Sequence, residues 1–128
     1  MISDVMIALV KRTEAWNKVG GRVYPLIIPQ DKPNPAIRVY TGPDSPVSAK
    51  DRGFEVNSYP AHVDVYADTY ADASEIGKAV RDGVNFSGFQ TINGYQVNTV
   101  EYVGYTEDFE EETNSHRHTV DFQITINR

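Results

Sequence analysis

The stretch from Pro60 to Val84 leaves this chain the least freedom. It opens with strict alternation, Val63, Val65 and Ala67 falling on one side and His62, Asp64 and Tyr66 on the other. That is the period-2 pattern of a strand with one buried face. The period then changes to that of a helix, with Ala73, Ile76, Val80 and Val84 three or four residues apart. Asp68 and Thr69 stand at the change, where a side-chain oxygen can accept from the unpaired N–H groups of a starting helix. Asp72 and Glu75 follow in the first turns, where the helix dipole favours negative charge. A strand therefore runs directly into an amphipathic helix, and both are expected to share one core.

The remaining elements arrange themselves around this unit. Ile2, Val5, Met6, Leu9, Thr13 and Trp16 step by three and four, predicting one helix, capped by Ser3 or Asp4 and stopped at Gly20-Gly21. Arg22 to Ile28 is β-rich but contains Pro25, which confines it to a sheet edge or a bulge. Pro29, Pro33 and Pro35 mark an extended loop, and Ala36 to Thr41 alternates as a second strand. Gly42 to Gly53 reads as a long polar loop, and Phe54 to Ala67 as the strand that feeds the helix. Beyond Gly88, Phe89 to Ile92 and Tyr95 to Tyr105 flank Asn93-Gly94, a strong hairpin signal because both turn positions need positive φ. Glu107-Asp108-Phe109-Glu110-Glu111-Glu112 interrupts the pattern as a solvated loop, and His118 to Asn127 closes it with clean alternation. Two helices and about six strands predict one α+β domain over residues 1–128, a mainly antiparallel sheet with the helices packed on it.

Composition narrows the function. With 128 residues the chain can bury one core without staples, and the absence of cysteine removes disulfides, thiol nucleophiles and thiolate metal sites. A formal net charge of −6 argues against a protein whose task is gripping nucleic acid, because such binding rests on neutralising phosphates. Asp4 and the short apolar run after it do not make a signal peptide, and no apolar run approaches a membrane span, so the expectation is a soluble protein made in a cytoplasm, with no membrane partner.

Chemistry is hard to place on these residues. His116 and His118 lie two apart and would share a strand face, the one geometry here that a metal could use, and a small metal-assisted hydrolase using them is the reading from a different class. The third histidine, His62, also lies on a polar strand face, and zinc spacings are missing, so surface histidines at a strand end are the preferred reading and no metal is expected. Asp64, Asp121 and Glu101 are candidate paired carboxylates that nothing in the sequence brings within reach of one another. The acidic run lacks the alternation and central glycine of a calcium loop. No nucleophile elbow, phosphate loop or dinucleotide fingerprint occurs. We expect no catalytic residue and no cofactor, hence no enzyme. A monomeric binding module is a further reading.

Element order supplies a resemblance. The amino-terminal helix leads to Tyr24-Pro25-Leu26-Ile27-Ile28-Pro29-Gln30 and Pro35-Ala36-Ile37-Arg38-Val39-Tyr40, then His62 to Ala67 running into Tyr70 to Val84 and a terminal hairpin. Over nearly its whole length this resembles the tail-completion, or tail-terminator, proteins of long-tailed bacteriophages and prophages, the group that includes the lambda-type terminator. The resemblance implies a virion protein, assembled in the host cytoplasm. It further implies a hexameric ring that would cap the head-proximal end of the tail tube, stop polymerisation and meet the head–tail connector or head-closure protein. It implies that DNA only passes through the lumen, without specific binding. A different ring protein of the same neck is the nearest alternative. The family carries no catalytic residues. From physics, the polar loop at Lys50, Asp51 and Arg52 and the acidic run at Glu110, Glu111 and Glu112 are the expected contact surfaces, being long and polar for connections in a compact domain.

Overall fold

A computed structural model describes residues 2–43, 45–49 and 54–127. In chain order the described elements are α1 (Ile2–Lys11), α2 (Glu14–Lys18), β1 (Val23–Pro25), β2 (Ala36–Thr41), β3 (Ser45–Ala49), β4 (Phe54–Ala67), α3 (Tyr70–Val84), β5 (Phe86–Ile92), β6 (Tyr95–Glu110) and β7 (Ser115–Asn127). The strands form one sheet in the order β1-β2-β4-β7-β6-β5, with β3 also paired to β4. Only β1 and β2 are parallel; the other pairings are antiparallel. This is the expected α+β architecture, with one strand and one helix more than the sequence suggested.

The unit from Pro60 to Val84 forms as its periodicity dictates. Val63, Val65 and Ala67 are buried on the helix-facing side of β4. Thr69 has extended backbone and its side chain accepts from the Asp72 N–H, capping α3, an arrangement worth about 1 kcal/mol. Ala73, Ile76, Val80 and Val84 are the buried apolar positions of α3, and the last three join Val120, Phe122, Ile124 and Ile126 of β7 in one apolar cluster, completed by Val5, Met6, Leu9 and Val10 of α1. Each fully buried Val or Ile contributes about 1.5–3 kcal/mol relative to exposure.

Three expectations need correction. The amino-terminal helix breaks after Lys11 and restarts at Glu14. Thr13 does both jobs at the break: its hydroxyl donates to Val10 O at 2.7 Å and accepts from Ala15 N–H at 3.2 Å. A Cβ on Gly83 of α3 would collide with the Thr13 side chain, so the break sits where α3 passes closest. Second, the expected loop from Gly42 to Gly53 contains β3, paired with Phe54–Ser58. Its Pro46 is tolerable because β3 is an edge strand. Third, the acidic run does not interrupt the sheet, since β6 continues to Glu110. Opposite it, Arg117 Nη2 binds Asp108 Oδ2 at 2.6 Å and offsets part of the charge.

The turns behave as their residues require. Asn93 and Gly94 both have positive φ, 50° and 81°, and close the β5–β6 hairpin. At the other edge β1 is sealed on its outer side. The Val23 N–H donates to Gly21 O at 2.9 Å, Pro25 has no N–H, and the Ile27 N–H donates to Pro25 O at 2.7 Å. Among the described residues no helix is long and apolar enough to cross a membrane.

The tightest helix–sheet contact is at Gly77, where a Cβ would overlap the His118 imidazole. Gly77→Ala should therefore destabilise the protein by about 1–3 kcal/mol despite its better helix propensity. Denaturant unfolding of Gly77→Ala, His118→Ala and the double variant checks this. The double variant should lose less than the sum of the singles.

Candidate interaction surfaces

The sheet face turned away from the helices carries a continuous polar array. Register places Arg38 opposite Asp64 and Tyr40 opposite His62 on β2 and β4, and His62 opposite Asp121 and Asp64 opposite Thr119 on β4 and β7. Asp64 is almost wholly buried. It accepts from Arg38 Nε at 2.8 Å and from Arg38 Nη2, and from the Thr119 hydroxyl at 2.7 Å. The Arg38 guanidinium lies over the Tyr40 and Tyr66 rings, 5.1 and 5.8 Å from their centroids. Burial is the largest single influence on Arg38 and works against its charge, but the Asp64 hydrogen bond and the Asp64 charge together hold the group above its ordinary pKa. Burial raises the Tyr40 phenol, with the Asp64 charge adding to it. His62 stacks on Tyr40 at 4.7 Å and its Nδ1 lies 2.6 Å from Asp121 Oδ1. The candidate carboxylates are thus not paired with one another. Asp64 belongs to Arg38, Asp121 to His62, and Glu101 is exposed beside neither.

At one end of this face lies a cleft of about 560 Å³ between the loop after β1 and the β6–β7 turn. Ile27, Pro29 and Lys32 form one wall, Glu110 and Thr113 the other, and Arg38 and Tyr66 the floor. Asn34 ties the walls together, its Nδ2 donating to Ser115 Oγ at 2.7 Å and to Asp68 Oδ1 at 3.1 Å. Leu26 adopts φ 65°, a left-handed conformation costing a non-glycine residue about 1–2 kcal/mol. Leu26 and Ile27 are among the most exposed large apolar residues of the chain. Sequence reading passed over them, although an aliphatic trio between two prolines was the available signal.

Of the nominated contact residues, Glu110 ends β6 and lines the cleft, while Glu111 and Glu112 are exposed in the following turn. Lys50, Asp51 and Arg52 lie outside the described residues.

His116 and His118 do share the helix-facing side of β7, as their spacing predicted. The reading of both as surface residues fails for His118, which is buried because Gly77 leaves room for its ring. His118 stacks on Tyr105 at 5.1 Å, and its Nδ1 has no hydrogen-bond partner among the described residues. His116 sits 4.9 Å from Phe109 and 6.2 Å from Tyr70, edge-on to both. Among the described residues there is no group of three or more His, Asp or Glu that could hold a metal ion.

Asp64→Ala removes the acceptor of a buried ion pair and should cost about 2 kcal/mol, a value set below that of a fully buried pair because Arg38 reaches solvent. Asp121→Ala, at a half-exposed pair, should cost under about 1 kcal/mol by the same denaturant measurement. Burial lowers the His118 pKa, with Glu107 opposing. The folded state then binds fewer protons than the unfolded state just below about pH 6.5. Stability should fall as pH drops through that range, and His118→Gln should remove this part of the slope.

Among curated proteins no sequence matches the chain. Its fold is similar to that of a chain from the virion of a native gene transfer agent particle, with a TM-score of 0.75 at 15% sequence identity, covering 99% of this chain and 97% of that one. The sequence profile of the family described as tail completion protein gp17 matches residues 4–127. The chain belongs to that family of phage tail completion proteins.

Proposed function

We propose that this tail completion protein acts as a ring, built from six copies, on the head-proximal end of the tail tube. There it ends tube polymerisation, receives the head-closure or connector protein, and lets DNA pass through its lumen. The observation that carries the reading is the family match across residues 4–127. A structural rather than enzymatic role accords with it, since Asp64 is engaged by Arg38 and Thr119 and Asp121 by His62. The charge also supports it: six copies would multiply a formal −6 sixfold, and an acidic lumen repels DNA and lets it slide. Lys50, Asp51 and Arg52 on one side and Glu110, Glu111 and Glu112 on the other are the proposed contacts with neighbouring subunits or the tube.

Light scattering across a concentration range, with and without added tail tubes, tests this. The expected result is a hexamer, or a monomer that becomes hexameric on tubes. A monomer or dimer indifferent to tubes would sink the ring. Replacing Glu110, Glu111 and Glu112 together by Gln should leave folding intact and weaken ring formation or tail attachment; normal assembly would remove that turn from the proposal.

A further inference from the structure

We propose that the outer edge of β6 from Glu101 to Glu110 is a strand-addition site for an extended segment, rich in Lys or Arg, of a partner polypeptide. β5 pairs only with the first part of β6, ending at Phe86↔Val100. β7 runs along the other side of β6 as far as Glu110. Among the described residues no strand therefore lies on the outer side of 101–110. Two donors near its ends are covered by side chains alone, the Tyr102 N–H by Asn85 Oδ1 and the Phe109 N–H by Asp108 Oδ1, each at 2.8 Å. The sealed outer side of β1 provides the contrast within the same sheet, its donors being absent or turned back on its own backbone. An unpaired edge of this length is a template for another strand.

Side chains along the edge add contact area. Val103, Tyr105 and Phe109 are 64%, 55% and 43% exposed, unusual for apolar residues on one strand. Charge then selects the occupant. Residues 101–112 hold six acidic residues and no Lys or Arg. The other twelve of the eighteen acidic residues are balanced by the twelve Lys and Arg, so this arm carries the whole formal −6. A second copy of the arm would bring the same excess and be repelled, as would a nucleic acid. A basic strand gains backbone hydrogen bonds, apolar contact and charge neutralisation together. The proposal goes beyond the tail-completion reading and does not require a ring.

The probe is a synthetic peptide alternating Lys and Val, added to the full chain and followed by amide hydrogen exchange. Its controls are the Glu–Val counterpart and the Lys–Val peptide N-methylated at every residue, which keeps the charge but lacks the backbone donors on both of its edges. The Lys–Val peptide should slow exchange at amides within 103–109 by about tenfold or more, and neither control should. Glu107→Lys with Glu110→Lys, both at solvent-accessible positions, should weaken binding by about tenfold or more. Equal binding of the N-methylated peptide would reduce the effect to bulk charge and overturn strand addition. Absent protection, or protection confined to β5, would also overturn it. Protection of the same amides in the chain alone at rising concentration would make a second copy the occupant and overturn the basic partner.

Discussion

The rest of the molecule hangs on the antiparallel ladder between β4 and β7, which runs without a bulge from Val56↔Asn127 to Ala67↔His116. A slip of one residue would turn Val63, Val65, Val120 and Phe122 away from the helices and bury His62 and Asp121 among them, so the register is fixed by both faces at once. On its far side β4 supports β3 with its first residues and β2 with its last. β7 in turn carries β6, whose two bulges let the sheet bend while the ladder stays straight. α3 leaves β4 after two residues, so the helix layer inherits its position from the same strand.

That ladder also sets how the polar groups crowded on the outward face meet one another. Register alone sets Arg38 against Asp64 and His62 against Asp121, and each charged group finds its partner one strand away. What stays unsatisfied lies at the periphery: the aliphatic loop after β1, the acidic end of β6 and its open edge. A protein that exposes apolar and acidic groups along this rim is suited to meeting other proteins of a virion.

Much of this was legible in the residues. The change of period at Asp68-Thr69, the Asn93-Gly94 turn and the alternation from Val120 to Ile126 each rest on local stereochemistry, and each element forms there. The misreadings came from tertiary effects. Thr13 fits a helical face by spacing, yet its hydroxyl makes a better cap than a helix interior once α3 packs against it. Glu107 and Asp108 look like loop residues until Arg117 and the β7 ladder are placed beside them. Burial of Asp64 and His118 was invisible for the same reason, since it depends on Arg38 and Gly77, far away in sequence. The open edge of β6 is an arrangement of missing neighbours, which no window of sequence can display.

The left-handed turn at Leu26 has a consequence for how fast and how firmly this rim can be engaged. Its backbone is anchored through the Leu26 N–H to Val39 O at 3.0 Å, and the loop beyond is pinned by Asn34 to the opposite wall of the cleft. Leu26 and Ile27 are thus presented on a loop already fixed in shape rather than one that must order itself on contact. Association at such a site loses little conformational entropy, so a small apolar area can suffice where a floppy loop of the same composition would bind weakly.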